Sequence, residues 1–372
     1  MEEKNYLNKT EELGTYTQKE IYEIPKCLSR VLSQKNMINK IAKKIISNGI
    51  KHIYLIGAGS SYHAGFAMSY MFNGISKVPT FTEYSMEFQY LIEPILQKDD
   101  CVIGISQSGE TKDTVETIKI AKSLGCLTIG ITNSLNSALA KICNFVINLQ
   151  CEVEKSILAT KTYVSSLAVL SMISLEIAKE SKSLAENNYN LIWKELESIS
   201  TKINKILPSL HEKIRKFSQY FKFAEFCFII GSGPDYGTAM EAALKLKEGA
   251  RIFGQAYSTA EFPHGPITLA DPRTWILAII PHEEDKRKQN LINLLKRIKE
   301  RRATILGIYE SIEEKDVPEP IDFGIQVPNT IKDLQPLLMI LGIQLLTLEI
   351  ARIKGINCDT PKFLTKVSRI LD

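Results

Sequence analysis

Short apolar runs alternate with amphipathic helical patterns along most of this chain. The run His52–Gly57 is predicted to be a buried strand, and Ser60 begins a predicted helix that extends to about residue 73. Further strand-like runs lie at residues 79–84, 101–105, 126–132 and 144–149. Helical patterns separate them, notably Asp113–Ser123, and this alternation is typical of a parallel sheet with helices on both faces.

The opening of this pattern recurs once. Gly57, Gly59 and Tyr62 are matched by Gly231, Gly233 and Tyr236, each 174 residues later. One constant offset predicts a duplicated domain rather than a chance similarity. The second copy continues with strand-like runs at residues 275–280, 303–309 and 323–327 and with helices at 286–301 and 333–354, the last with Asp333 as its N-cap and Pro336 in its first turn.

These patterns predict an α/β protein in which each copy is a parallel sheet covered by helices on both faces. Residues 1–30 are a polar lead-in with a short helix near Glu20, 31–185 the first domain, 186–354 the second domain and 355–372 a C-terminal tail. A helix at 161–179 closes the first domain. The polar stretch 181–190 is the predicted linker, and a long helix at 191–221 leads into the second domain.

Composition narrows the class of protein. The 372 residues are 44% hydrophobic and 24% charged, and a net charge of +4 without any block of like charges gives no support for nucleic-acid binding. The seven cysteines lack metal-ligand spacing, which predicts buried, reduced thiols and no metal site. The polar start lacks signal-peptide character, and Leu337–Ile350 is too short to span a bilayer, so we expect a buried helix there and a cytoplasmic protein.

A hydroxyl-rich segment is the first candidate for chemistry. Residues Ser106–Thr111 (SQSGET) follow a predicted strand and precede a predicted helix. Hydroxyl groups beside the free backbone N–H groups of a helix N-terminus suit a phosphate dianion. An ordinary βα loop with Ser/Thr capping is the alternative.

A glycine-rich turn, residues 57–61 (GAGSS), lies at an equivalent place after the first strand. It lacks both the spacing of a dinucleotide fingerprint and the lysine of a P-loop. Tight strand–helix packing is the more frequent explanation of such glycines, and phosphate binding is the alternative. Ser61, at the start of the helix, is its candidate binding residue.

Four further residues are candidates with titratable side chains. Lys245 and Glu248 are three residues apart on one helical face, where a solvated surface pair is the ordinary explanation. His264 lies in the rigid turn FPHGP, in which a lone histidine is more often structural. Lys366 lies near the C-terminus, where a solvated charge is expected when the residue is considered alone.

Together and in this order, these segments resemble the sugar isomerase (SIS) superfamily, and within it the isomerase halves of glutamine–fructose-6-phosphate amidotransferases. The similarity extends from about residue 20 to the C-terminus. Residues 106–111 are similar to the phosphate loop of that family and 243–248 (ALKLKE) to its catalytic helix. Residues 261–266 (EFPHGP) are similar to its histidine loop and 359–366 (DTPKFLTK) to its tail with a Schiff-base lysine.

The resemblance implies a role for each candidate. Glu248 moves a proton between C1 and C2 of the sugar, with Lys245 assisting at the C1 hydroxyl. His264 opens the sugar ring from the neighbouring subunit of a homodimer, and Lys366 forms an imine with the ketose carbonyl. The phosphate of a hexose 6-phosphate is held by Ser61, Ser106, Gln107, Ser108 and Thr111, and other substrate contacts come from Gly59, Ile157, Ala159 and Thr365. The resemblance also implies two tandem SIS domains, each a flavodoxin-like three-layer sandwich. No cofactor is implied.

Three departures from the family pattern bear on the reaction. Only about fifty residues precede the first strand, so we expect no glutaminase domain in this chain. Ala159 stands where the amidotransferases carry a serine, which leaves the identity of the sugar open. Lys362 stands where they carry an arginine, which keeps the positive charge but loses the bidentate geometry.

The expected reaction is deamination, in which glucosamine 6-phosphate and water give fructose 6-phosphate and ammonia. The reverse synthesis from free ammonia is open to the same groups. A deglycase acting on fructosamine or fructoselysine 6-phosphates and a non-catalytic sugar-phosphate regulator are the alternatives. Glu248, His264 and Lys366 together favour an enzyme, since binding alone needs only the hydroxyl-rich loop.

Overall fold

The computed structural model describes residues 12–281, 283, 285–310 and 319–366. The chain divides into two compact units. The first unit comprises Ile24–Glu154, Lys161–Ser200 and Thr365–Asp372, and the second unit comprises Met1–Glu23, Lys155–Thr160 and Thr201–Leu364. Each unit contains one parallel sheet.

The segment predicted as a polar lead-in contains a full helix. Helix α1 (Thr15–Leu32) has 18 residues, and α2 (Lys35–Ser47) follows it. Ile21, Ile24, Leu28 and Val31 of α1 are buried, at the spacing of one helical face. The segment is therefore an amphipathic helix, and two of its polar residues, Thr17 and Glu20, are buried as well.

The sheet of the first unit has the order β2-β1-β3-β4-β5. Its strands are β1 (His52–Gly57), β2 (Thr80–Tyr84), β3 (Asp100–Ile105), β4 (Leu127–Thr132) and β5 (Phe145–Asn148). All neighbouring strands are parallel, and Ile56 pairs with Glu83 on one side and with Gly104 on the other. Strands β3 and β4 are buried at every position, which confirms the prediction of a sheet covered on both faces.

Helices connect these strands. They are α3 (Ser60–Met71), α4 (Ser85–Leu91), α5 (Lys112–Ser123), α6 (Ala138–Ile142), α7 (Lys161–Glu180) and α8 (Glu186–Ser218), which continues into the second unit. Helix α8 begins inside the predicted linker 181–190, so the connection is shorter than expected. Polar residues at an exposed helix start have the same composition as a linker, which explains the error.

The sheet of the second unit has the order β10-β9-β8-β6-β7, again with all strands parallel. Its strands are β6 (Phe226–Gly231), β7 (Phe253–Ser258), β8 (Trp275–Ile280), β9 (Thr304–Glu310) and β10 (Phe323–Val327), and its other helices are α9 (Pro234–Ala250), α10 (Lys286–Lys299) and α11 (Gln335–Ile353). The starts of α3 and α9 are 174 residues apart, as are those of α7 and α11. The duplication predicted from three residues therefore extends to the elements.

Two details of the second unit differ from the sequence predictions. Strand β7 was not predicted, because this edge strand buries only Gly254 and Ala256 and leaves Phe253 exposed. Asp333 is not an N-cap: it lies in a 3₁₀ turn, and α11 begins at Gln335 with Leu334 at the N-cap position. Pro336 does occupy the first turn of α11.

Two buried helices resemble membrane spans by length and hydropathy alone. They are α7 and the segment Lys332–Ile353 that contains α11, and the apolar window of each is completely buried in the protein. Burial of this kind is what the core helix of a folded domain shows. The seven cysteines are free thiols, and all but the half-buried Cys143 are buried, as predicted.

Candidate active site

The hydroxyl-rich loop joins β3 to α5 in the first unit. Thr111 occupies the N-cap position of α5 with an extended backbone. Gly109 has a φ of +69°, which favours glycine, and a Cβ atom at this position would lie 2.1 Å from Oγ of Ser137. The loop therefore requires glycine for both its backbone conformation and its packing.

Hydrogen bonds within the loop fold it onto itself. The hydroxyl groups of Ser106 and Thr111 lie 2.9 Å apart, and Ser106 Oγ accepts the backbone N–H of Gly109 at 3.0 Å. The hydroxyl of Ser108 accepts the N–H of Glu110 at 3.2 Å. Ser106 is buried, whereas Gln107, Ser108 and Thr111 are half-buried and accessible to a small ligand. The structure thus brings the predicted phosphate-binding residues together in one turn.

Ser61 lies at the adjacent strand end. Gly59 has a φ of +53° and immediately precedes α3, so Ser61 falls in the first turn of that helix. Strands β1 and β3 are direct neighbours, whereas their next strands β2 and β4 lie on opposite sides. This is the topological switch point of the sheet, where parallel α/β folds bind ligands. Ser61 and the 106–111 loop both follow strands that meet there.

Lys366, near the C-terminus, is paired with a buried carboxylate of the first unit. Nζ of Lys366 lies 2.8 Å from Oε2 of Glu154, whose side chain is inaccessible to solvent. The same carboxylate accepts the hydroxyl of Thr162 at 2.7 Å and its backbone N–H at 3.2 Å, at the start of α7. The side chain of Lys366 is 27% exposed, so this amine lies against the first unit and is still reached by solvent.

In the second unit, α9 aligns three charged side chains on one face. Nζ of Lys245 lies 2.6 Å from Oε2 of Glu248 and 3.4 Å from Oε1 of Glu241. Lys245 and Glu241 are buried, but the side chain of Glu248 is 18% exposed. The pair predicted from sequence is therefore not a solvated surface pair. The accessible carboxylate of Glu248 is paired with the buried ammonium group of Lys245, which also lies close to the buried carboxylate of Glu241.

The segment 155–160 packs beside the end of this helix. Leu158 Cδ2 lies 2.9 Å from where a Cβ of Gly249 would be. Burial alternates along the segment, so that Leu158 is buried while Ile157 and Ala159 are half-buried. The two predicted substrate contacts are therefore the partly accessible residues of a segment whose buried residue Leu158 packs at the end of α9.

The beginning of the tail is anchored in the same unit. Asp359 accepts the backbone N–H groups of Tyr16 and Thr17 at 3.0 and 2.7 Å, and its own carbonyl accepts the N–H of Ile157 at 3.0 Å. The N-terminal helix α1 therefore holds both the tail and the 155–160 segment. Further along the tail, Lys362 and Thr365 are exposed.

His264 lies at the opposite end of the sheet from Glu248. Strands β6 and β7 begin side by side at Phe226 and Phe253, just after α9 has carried Glu248 to that edge. His264 follows the far end of β7, so about 20 Å of strand separates the two residues along the chain. The imidazole is exposed in a 3₁₀ turn that ends at Gly265. Within one chain, the structure does not bring His264 to Glu248.

Two carboxylates of these clusters were not predicted. Glu241 precedes Lys245 by one helical turn, and that i, i+4 spacing is a signal that would have identified it. Glu154 has no comparable signal, because its partner Lys366 is 212 residues away. Both are buried side chains whose role depends on the folded chain.

Residues 48–175 and 224–350 match the family model of the SIS domain, and these two regions make up more than half of the chain. The chain belongs to the SIS family. The two matched regions contain the two parallel sheets, so each sheet is the core of one SIS domain. The predicted resemblance to this family is confirmed.

Among full-length relatives, this SIS protein is similar to isomerizing glutamine–fructose-6-phosphate aminotransferases. It is 30% identical to that of Bacteroides thetaiotaomicron over 94% of this chain and 57% of the relative. It is 32% identical to that of Pyrococcus horikoshii over 94% of this chain and 56% of the relative. The chain thus spans just over half the length of these relatives.

Among solved structures, it is similar to the C-terminal domain of glucosamine-fructose-6-phosphate aminotransferase from Francisella tularensis. The TM-score is 0.86 at 28% identity, with 93% of this chain and 98% of that chain covered. The two SIS domains are therefore homologous to the C-terminal, isomerase half of the aminotransferases.

Proposed function

We propose that this SIS protein is a sugar-phosphate isomerase of the glucosamine 6-phosphate synthase type that deaminates glucosamine 6-phosphate to fructose 6-phosphate and ammonia. The observation that carries the proposal is the ion pair between Lys366 and Glu154 at 2.8 Å. A protein that only binds sugar phosphates needs no ordered lysine on its tail, whereas a ketose-handling enzyme uses one as a nucleophile.

The phosphate is the first group recognised in this proposal. Ser106, Ser108 and Thr111 offer hydroxyl donors, and Gln107 adds its amide, at the N-terminus of α5. A helix N-terminus carries free N–H groups and a partial positive charge, both of which favour a dianion. Ser61 contributes from the start of α3 at the switch point. Binding there fixes one end of the hexose.

Proton transfer between C2 and C1 is assigned to Glu248. Its carboxylate takes the C2 proton of the open-chain aldose, giving an enolamine, and returns that proton to C1, giving the C2 ketimine. Lys245, 2.6 Å away, stabilises the negative charge that develops on the C1 oxygen. Because Glu248 is partly exposed while Lys245 and Glu241 are buried, the accessible member of the cluster is the one that meets substrate.

Ammonia leaves when an amine or water adds to the ketimine carbon. In our proposal the Lys366 amine adds to C2, ammonia is expelled, and water then hydrolyses the lysine imine to release fructose 6-phosphate. The amine must lose a proton before it attacks, and the carboxylate of Glu154 is the acceptor within hydrogen-bond reach. Glu154 would thus position the tail and take its proton.

Ring opening is assigned to His264 of a second copy of the chain. His264 lies about 20 Å of strand away from Glu248 along β7, so the two cannot act on one sugar within a single chain. In a symmetric homodimer that exchanges this turn, His264 of one chain could reach the sugar held near Glu248 of the other chain. The protein would act in the cytoplasm, where hexose phosphates and reduced cysteines are both found.

Incubation of the purified chain with glucosamine 6-phosphate tests the proposal. We expect ammonia and fructose 6-phosphate in equal amounts, and we expect Glu248→Gln to lower kcat by about 10³-fold or more. Glu116→Gln is a matched control, because Glu116 is an exposed acid paired with Lys119. Release of an amine from fructosamine 6-phosphates alone, or binding of all these sugars without turnover, would contradict the deaminase.

A further inference from the structure

A group of buried oxygen atoms without hydrogen-bond partners lies in the second unit. Among the described residues, they are the two carboxylate oxygens of Asp235 and one side-chain oxygen each of Thr238, Glu310, Asn329, Thr330 and Gln335. The amide nitrogen of Gln335 also has no partner within hydrogen-bond distance, and it adjoins the Glu310 carboxyl. Asp235, Thr238 and Gln335 are completely inaccessible to solvent. Buried polar groups in folded proteins nearly always have partners, so these seven oxygens are expected to face a bound ion or water.

Contacts and charges place these groups together at the carboxyl edge of the sheet. Asp235 lies in the first turn of α9 after β6, and Glu310 is the last residue of β9. Oε2 of Glu310 accepts the backbone N–H of Thr330 at 3.0 Å, and the charge of Asp235 acts directly on the Glu310 carboxyl. The Gln335 amide adjoins the same carboxyl, and Thr238 follows Asp235 by one helical turn.

One member of this group, Asp235, is the counterpart of Ser61 in the first unit. Asp235 lies 174 residues after Ser61, at the equivalent place in the repeat, and Glu310 ends β9 as Thr132 ends β4. Hydroxyl groups in the first copy are thus replaced by carboxylates in the second. A carboxylate at the Ser61 position would repel a dianion, so this place in the second copy favours a cation over phosphate. The counterpart of the 106–111 loop follows β8 and is not part of this group.

The donor set restricts the class of ligand. Carboxylate, hydroxyl and amide oxygens are the donors that hard cations prefer. Only two carboxylates take part, and among the described residues no three His, Cys, Asp or Glu side chains form a metal-ion group. Positive charge from Lys202 acts on Glu310, and Arg287 acts on Asp235 together with Asp285. These cations disfavour a divalent ion and leave room for a single positive charge.

We propose that a monovalent cation, either potassium or ammonium, binds among Asp235, Thr238, Glu310, Asn329, Thr330 and Gln335 in the second SIS domain. The ion supplies the partner that the buried oxygens lack and ties α9 to the end of β9. Its role is separate from the proposed deaminase reaction, so the site is tested by stability and not by turnover.

Thermal unfolding of the full chain provides the first test. Potassium chloride or ammonium chloride, each added to a tetramethylammonium buffer at constant ionic strength, should raise Tm in a saturable way by about 3 °C. Asp235→Asn should abolish this rise, and the exposed control Glu116→Gln should retain it. An equal rise in every salt, or no rise with potassium and ammonium, would overturn the proposal.

Crystals of the unaltered protein provide a test that needs no variant to fold. After a soak in rubidium chloride, which replaces potassium, an anomalous peak bonded to oxygens of Asp235 and Glu310 would support the site. Ordered water alone at that position would overturn it, since water would then be the partner of the buried oxygens.

Discussion

Lys366 and Glu154 are paired at 2.8 Å although 212 residues separate them in the chain. Glu154 is also bound to the hydroxyl and backbone N–H of Thr162, so the tail is connected through one carboxylate to the first turn of α7. Removing one partner of a buried ion pair leaves the other charge uncompensated. This relationship makes the tail sensitive to a residue far away in sequence.

Replacing Glu154 by Gln should therefore lower turnover by about 10–100-fold, because Lys366 loses both its anchor and its proton acceptor. Borohydride reduction in the presence of fructose 6-phosphate should attach a hexitol phosphate to Lys366, as measured by peptide mass spectrometry. Lys366→Arg keeps a positive charge opposite Glu154 and should abolish the adduct. An adduct at another lysine, or none with the unaltered protein, would contradict the proposed imine.

Gly109→Ala should destabilise the 106–111 loop. The new Cβ atom would occupy a left-handed backbone and overlap Ser137 Oγ. Gly355 is a matched control, because its φ is also +69° but no atom lies within 4 Å of its Cβ position. Both variants carry the backbone strain, about 1 kcal/mol, and Gly109→Ala adds about 1–3 kcal/mol from overlap. The two Tm values and the Kd for fructose 6-phosphate measure the difference, and equal effects would show that the overlap does not matter.

Mixing two inactive variants tests whether the active site is shared between subunits. Glu248→Gln and His264→Asn should each lose activity alone. If the protein is a dimer that exchanges His264, co-expression at equal levels should restore about a quarter of normal activity, since half of the dimers are hybrids with one intact site each. No recovery in verified hybrid dimers would show that Glu248 and His264 do not combine across subunits.

Asp235 should make stability fall as pH rises. Burial, aided by the charge of Asp285 and opposed by that of Arg287, raises the pKa of Asp235 from 3.8 to about 7. The folded chain therefore keeps a proton that the unfolded chain has released, so its stability decreases from pH 4 and reaches its low value above pH 7. Without potassium or ammonium, Asp235→Asn should raise the free energy of unfolding at pH 8 by up to about 4 kcal/mol and leave it unchanged near pH 4.

The Tm of both proteins at pH 4.5, 6 and 8 measures this effect. Glu310 contributes in the same direction, because burial raises its pKa to about 8. The slope with pH should therefore decrease in Asp235→Asn but not disappear. A variant that is less stable than the unaltered protein at pH 8 would contradict the assigned burial of a costly negative charge.

Strands were predictable where they are buried on both faces. Strands such as β3 and β8 carry apolar residues at nearly every position, and their bounds agree with the prediction to within one residue. β7 was missed because it is an edge strand, with a neighbouring strand on one side only, and few of its residues are buried. The start of α8 was misplaced because an exposed helix start and a linker are both polar.

The candidate site was also predictable only where its residues are neighbours in sequence. The 106–111 loop was predictable because its glycine, its hydroxyls and the helix that follows are neighbours in sequence. The pairing of Lys366 with Glu154, the burial of Lys245 between two carboxylates, and the distance of His264 from Glu248 were not, since each depends on chain segments far apart in sequence.

By itself, the sequence determined the duplicated α/β pattern, the phosphate-loop segment and the kinds of chemical groups present, because these follow from local spacing and side-chain chemistry. Only the tertiary structure decided which carboxylates lie beside which lysines and which carboxylates are buried without partners. The physical reason is that ion pairing and desolvation depend on distance in space and on exclusion of water, and both arise only when the chain has folded.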